Sequence, residues 1–249
     1  MSIELKGVHK AFGASKVLQG FTLDVQEGEI VTVIGPSGSG KSTTLKTIIG
    51  LLEPDEGEVW VDGENVHQLG LDALYALRRK VGYVFQFAAL FDSMTVRENV
   101  AMGLRRMPGL SEAEIQERVE DALSRVDLEG SGARFPAQLS GGMKKRAGLA
   151  RAIALNPRYL LYDEPTTGLD PLTVTMVDRL ILRMRDELQV TSLVITHDIE
   201  SAYRISDRIA MLFEGQVLEV GTPEEIRSSE SSRVRAFVEG KPELLEDHQ

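Results

Sequence analysis

The 249-residue chain contains no cysteine. This excludes disulfides, thiolate nucleophiles and cysteine-held metals, and it fits a reducing compartment. Long apolar runs are also missing: nowhere do about 18 apolar residues follow one another without a charge, so the chain is not expected to span a membrane. Met1-Ser2-Ile3-Glu4 has neither the basic stretch nor the apolar run of a secretory signal, and no leader is expected. Basic side chains are in deficit. Against 38 acidic residues stand 28 basic ones, a net charge of −10, which argues against a general nucleic-acid clamp. Apolar residues at 42% and charged residues at 27% are the balance of a core-forming globular chain. The length suits one large domain or two small lobes. These absences leave a cytoplasmic globular protein as the expectation.

What is present alternates strand and helix. Ile3, Leu5 and Val8 begin a short strand, and Phe21, Leu23 and Val25 alternate with polar neighbours as a half-buried strand does. Ile30-Val31-Thr32-Val33-Ile34 is a continuous β-branched run, the mark of a strand buried on both faces of a parallel sheet. Further buried strands are read at Tyr159-Leu160-Leu161-Tyr162 and Ser192-Leu193-Val194-Ile195. From about Val96 to Ala154 strand signals fade and two helices stand out. Ser111 with Glu114 makes a capping box ahead of Ile115, Val119, Ala122 and Val126 on one helical face. Met143, Ala147, Ala150 and Ala154 recur at helical spacing after Ser140-Gly141-Gly142. Asp170-Pro171 and Thr222-Pro223-Glu224-Glu225 read as later helix starts. The pattern predicts a helical lobe inserted into an α/β core, and a polar tail from Lys241 to Gln249.

Gly35-Pro36-Ser37-Gly38-Ser39-Gly40-Lys41-Ser42 follows a buried strand and opens a helix. In that context the glycines let backbone N–H groups converge on a phosphate, to which the helix N-terminus adds its positive dipole. Lys41 would reach the β- and γ-phosphates and the Ser42 hydroxyl would ligate Mg²⁺, with Thr43 beside them. Asp163-Glu164 closes another buried strand. Asp163 is expected to hold Mg²⁺ through water, and Glu164 to act as general base on the attacking water. Ser140-Gly141-Gly142 is a second anion site, an N-cap serine with two unobstructed backbone donors. It makes sense if it completes the nucleotide site of another subunit. Three single residues are weaker signals. His197 could meet a γ-phosphate or be structural, Gln86 could sense Mg²⁺ or water or be a loop amide, and Phe12 could stack on an adenine or sit in the core.

In this order the motifs resemble those of the ATP-binding subunits of ABC transporters, over essentially the whole chain. Phe12 matches the base-stacking aromatic, residues 35–42 the phosphate loop, Gln86 the Q-loop and Leu139 to Met143 the signature. Tyr159 to Glu164 match the Walker B strand, Gly168-Leu169-Asp170 the D-loop and His197 the switch histidine. The resemblance implies an α/β fold, the P-loop NTPase core of ABC ATPases: a mostly parallel sheet with an antiparallel β-subdomain and an inserted helical lobe. It implies one ATPase domain over 1–240, with a core lobe at about 1–86 and 156–227, a helical lobe at about 87–155, and a C-terminal extension and tail at 228–249. It further implies ATP and Mg²⁺ as ligands, and a head-to-tail homodimer in which Ser140, Gly141, Gly142 and Asp170 of one chain complete the site of the other. Catalysis would fall to Glu164, His197, Gln86 and Lys41, and the metal to Ser42, Gln86 and Asp163.

Two segments are narrower. Gln86-Phe87-Ala88-Ala89-Leu90-Phe91-Asp92-Ser93-Met94-Thr95-Val96 and Arg233-Val234-Arg235-Ala236-Phe237-Val238-Glu239-Gly240 are similar to those of the ATPases of Mla/Mce-type lipid transporters. Met143 stands where many relatives carry glutamine. The implied partners are a polytopic permease, an Mce-domain protein and a small STAS-like subunit, with the chain on the cytoplasmic face of the inner membrane. Two other readings stay open: the ATPase of an importer for amino acids or other small solutes, and a soluble ABC-type ATPase such as that of iron–sulfur assembly.

Overall fold

The structure, a computed structural model, describes residues 2–241. In chain order the elements are β1 (Ile3–Phe12), β2 (Ser15–Val25), β3 (Ile30–Ile34), α1 (Lys41–Ile48), β4 (Glu56–Val61), β5 (Glu64–Asn65), α2 (Leu71–Arg79), β6 (Val81–Val84), α3 (Val96–Leu104), α4 (Glu112–Arg125) and α5 (Gly141–Ile153). They continue with β7 (Tyr159–Asp163), α6 (Pro171–Leu188), β8 (Thr191–Thr196), α7 (Ile199–Ile205), β9 (Arg208–Phe213), β10 (Gln216–Gly221), α8 (Pro223–Arg227) and α9 (Ser232–Val238). Two compact units are present, one reaching to Leu77 and resuming at Thr191, the other spanning Arg78–Val190. Among the described residues no helix is long and apolar enough to cross a membrane.

In the first unit β2-β1-β4-β5 form an antiparallel sheet. β1 runs ten residues, longer than its opening pattern suggests. The apolar positions Ile3, Leu5 and Val8 change parity because register shifts between Leu5 and Val8 turn the strand over. Against β3 lie β8 and β9, both parallel to it, with β10 antiparallel at the edge. Every residue of β3 and of β8 is buried, which is why β3 reads as an unbroken apolar and β-branched run and β8 as one interrupted only by Ser192. Burying each Val, Leu or Ile among them contributes roughly 1.5–3 kcal/mol. The C-terminal helices pack onto this unit: Val234 of α9 and Ile226 of α8 join Ile34, Met211 and Ala202 in one apolar cluster. Residues 242–249, most of the predicted polar tail, lie outside the described residues.

In the second unit β6 and β7 run parallel, accompanied by four helices, α3 to α6. The capping boxes at Ser111 and the cap at Asp170 form as the sequence predicts. Ile115, Val119, Ala122 and Val126 are buried. One helix, α3, goes beyond the two predicted here. Its start was legible, because Thr95 and Glu98 make a reciprocal capping box of their own.

Candidate functional site

Sheet register positions the first set of residues. Ile34, the last residue of β3, is the partner of Thr196, the last residue of β8. The strands are parallel, so the loop at 35–40 and His197 leave the same carboxyl edge side by side. Such edges are where ligands sit in open α/β sheets. Gly35 must lack a side chain, since a Cβ there would stand 2.1 Å from the Leu212 carbonyl oxygen. Gly40 caps α1 at φ 104, in the left-handed region, with no side-chain bond to the helix. The first N–H groups of α1 are therefore not capped by a side chain, as an anion site requires. Lys41 is buried and its Nζ donates to the carbonyls of Gly35 (2.8 Å) and Pro36 (3.0 Å). Ser42 and Thr43 follow half-buried in the first turn, and Ser37 and Gly38 are exposed. Ser39 Oγ is buried with no hydrogen-bond partner among the described residues, an orphaned polar atom inside the phosphate loop. Phe12, at the end of β1, is 50% exposed, with the Lys10 ammonium 5.8 Å from its ring centre. It is no core residue. His197 is exposed as well.

The second unit repeats the device. Val84 pairs with Tyr162, so Gln86 and the pair Asp163, Glu164 emerge at one carboxyl edge. Asp163 and Glu164 are each 9% exposed. Asp163 accepts a hydrogen bond from Tyr83 Oη at 2.9 Å. Burial first, and then the adjacent carboxylate, hold the Tyr83 phenol far above its ordinary pKa, so it stays a donor at any working pH. Glu164 adopts φ 50, a left-handed conformation that costs a non-glycine residue on the order of 1 kcal/mol. Its Oε2 accepts from Thr167 Oγ1 at 3.1 Å.

Ser140 caps α5, its hydroxyl accepting from Met143 N at 3.2 Å. Ser140 and Gly141 are exposed at the helix start. A Cβ on Gly142 would come within 2.6 Å of Thr173 Cγ2, so the helix start can approach α6 only as glycine. Asp170 serves first as the cap of α6, accepting from Leu172 N and Thr173 N at 3.1 Å each. The Thr173 hydroxyl and amide hold its carboxyl below the usual range.

Sequence reasoning missed Tyr83, Lys145 and Arg151. Lys145 is buried, and its Nζ donates to the backbone carbonyls of Gln86 and Glu164. Arg151 donates to the carbonyls of Ala88 and Ala89. Bonds to backbone oxygens leave no residue-type pairing in a sequence. Within the first unit, backbone N–H groups at a helix start, one ammonium and hydroxyls suit a polyphosphate; within the second, the carboxylates suit a hard cation.

Residues 18–167 match the ABC transporter family. The probable ribonucleotide transport ATP-binding protein mkl of Mycobacterium leprae is 39% identical over 241 residues, 97% of this chain and 70% of that protein. The sulfate/thiosulfate import ATP-binding protein CysA of Bacillus cereus is 43% identical over 235 residues, 93% of this chain and 64% of that protein. Among solved structures, the dimeric ATP-binding cassette MJ0796 bound to ADP and Pi shares 37% identity at a TM-score of 0.81, covering 89% of this chain and 98% of that one. The cbiO1 protein of Clostridium perfringens, part of the transporter complex cbiONQ, shares 30% identity at 0.84, covering 98% of each chain. The expected α/β ATPase fold is the one found, and the phosphate loop stands in the context its chemistry requires: the chain belongs to the ABC transporter family as an ATP-binding subunit that couples ATP hydrolysis to transport.

Proposed function

We propose that this subunit drives the movement of phospholipid or another lipid between membranes, from the cytoplasmic face of the inner membrane. It would work with a polytopic permease, an Mce-domain protein and a small STAS-like subunit. The observation that carries the cargo assignment is the segment from Gln86 to Val96, with its similarity to the ATPases of Mla/Mce-type lipid transporters, supported by that from Arg233 to Gly240. Phe87 in the first segment is 82% exposed, a large apolar side chain available to a membrane-embedded partner.

In the motor itself, two copies would pair head to tail around two ATP molecules. Phe12 would stack on the adenine. The amides of residues 35–43 and Lys41 would hold the phosphates, and Ser140, Gly141, Gly142 and Asp170 of the second copy would close the site. Ser42, Gln86 and Asp163 would hold Mg²⁺, which when bound neutralises charge on the β- and γ-phosphate oxygens. Glu164 takes a proton from water as that oxygen attacks the γ-phosphorus, and the bond from phosphorus to the β,γ-bridging oxygen breaks. His197 would contact the γ-phosphate. A ligand drives closure only by its greater affinity for the closed state, which a site divided between two chains supplies. Hydrolysis removes the shared γ-phosphate and lets the dimer open.

The relationship to CysA favours a second reading, an import ATPase for a small solute. Purifying the tagged chain from its own membranes in mild detergent, and identifying every protein and lipid that accompanies it, separates the two. A permease with an Mce-domain protein and phospholipid is the expected result. A permease with a solute-binding protein would replace lipid by solute as cargo, and recovery only with soluble assembly factors would remove both.

A further inference from the structure

Helix α5 starts at the anion site of Ser140 and carries a buried flank formed by Lys145, Gly148 and Leu149. Lys145 is 8% exposed, and an ammonium so far from water needs its protons taken up. Two carbonyls accept them, that of Gln86 and that of Glu164 at 3.2 Å. Neither belongs to regular structure: Gln86 lies just beyond β6 and Glu164 just beyond β7. The flank continues along the same loop. A Cβ on Gly148 would approach Ala88 Cα and Cβ at 3.2 Å. Arg151 donates to the carbonyls of Ala88 (2.7 Å) and Ala89 (2.6 Å), and lies 5.9 Å from the Phe85 ring centre. Ala88 and Ala89 are themselves left-handed, at φ 59 and 47, a conformation alanine keeps only under restraint. Three positions at i, i+3 and i+6 of one helix thus fix the loop that follows Gln86.

We infer that Lys145 is a positioning residue for ATP hydrolysis: by bonding the backbone of Gln86 and of Glu164 at once, it ties the loop that would face the permease to the carboxylate that would activate water. The inference rests on the reading of Glu164 as general base. Lys145 acts through the placement of two other residues, whose backbone carbonyls its Nζ bonds. Glu164 pays for its left-handed backbone with the restraints around it, and the Lys145 bond is one of them, together with the Thr167 contacts to its carbonyl and carboxylate.

The test uses the full chain in steady-state ATPase assays, with nucleotide affinity and thermal melting measured on the same samples. Lys145→Met keeps the length of the stem and removes both donors. Its kcat is expected to fall about 10- to 100-fold, the scale of a misplaced catalytic group, with KM and nucleotide affinity within about twofold of wild type. Lys145→Arg, whose guanidinium can donate to both carbonyls, is expected to recover most of the rate. A folded Lys145→Met protein with wild-type kcat overturns the inference, and so does a defect confined to nucleotide affinity. If Lys145→Met does not fold, Lys145→Gln decides: its shorter amide reaches one carbonyl at most, so kcat is expected to drop about 3- to 10-fold, and an unchanged kcat overturns the inference. Glu164→Gln serves as the separate control. If that variant hydrolyses ATP at the wild-type rate, the general-base reading fails. If it is inert while Lys145→Met is fully active, only the role of Lys145 fails.

Discussion

Asp163 and Glu164 are neighbours in sequence with different surroundings. Asp163 completes β7 in extended backbone and takes a hydrogen bond from Tyr83 Oη at 2.9 Å. Glu164 turns left-handed, and its carboxylate meets Thr167. Divergent environments are how two adjacent carboxylates take two roles. Tyr83 stacks at a 4.4 Å centroid distance on Phe85, so the phenol is held by packing and does not wander from its acceptor. Tyr83→Phe keeps the ring and deletes the donor. A hydrogen bond to a charged group contributes roughly 1.5–3 kcal/mol, and losing it removes one restraint on the orientation of the Asp163 carboxylate. The expected outcome is a several-fold rise in the Mg²⁺ concentration giving half-maximal ATPase activity, with little change in maximal rate. A titration that superimposes on wild type would show that the orientation of Asp163 is fixed by its other contacts.

Among the elements, α9 illustrates how far a family match and a fold can differ in extent. It lies outside residues 18–167, and by sequence it belonged to an extension. Yet Val234 is fully buried, in a cluster with Ile34 at the end of β3 and with Met211 in β9. Arg233 lies 5.6 Å from the Phe213 ring centre and Arg227 lies 4.3 Å from that of Tyr203. Val234→Ala removes two methyl groups from this cluster and is expected to cost about 2 kcal/mol of stability, read as a lowered urea midpoint with an unchanged slope. An unmoved midpoint would mean that α9 contributes nothing to the core. Elements with a local code were legible beforehand. The boxes at Ser111 and Thr222 and the cap at Asp170 form as read, because a cap is a contact between residues three apart. The strand, glycine-rich loop and helix over residues 30–48 were legible for the same reason. The helix after Thr95 carried the same code and went unread. Beyond local code the sequence is silent: Lys145 meets Gln86 across 59 positions through a carbonyl that every residue type possesses. Phe12 shows the complementary failure, since an aromatic closing a strand gives no sign of which side of it faces water.

For the whole molecule, the decisive question is whether the proposed nucleotide contact at the start of α5 would serve its own chain's nucleotide or that of a second copy. Ser140 and Gly141 are exposed, and the serine hydroxyl is engaged in capping its own helix. What remains to a ligand there is the backbone N–H groups and the helix dipole, which contribute modestly in water and far more once a partner excludes it. Closure must also overcome charge, since each copy carries a net −10, a repulsion screened beyond about 8 Å at physiological salt. A group that bars close approach should therefore abolish dimerisation without touching the first nucleotide contact. With ATP, the Glu164→Gln protein is expected to run as a dimer in size-exclusion chromatography with light scattering, because hydrolysis no longer releases the shared phosphate. Adding Ser140→Arg is expected to return it to monomer at the same ATP concentration, while monomer affinity for a fluorescent ATP analogue stays within about twofold, under 0.5 kcal/mol. A collapse of monomer affinity would place Ser140 in its own chain's site, and a dimer that survives the arginine would show that the two copies meet through another surface.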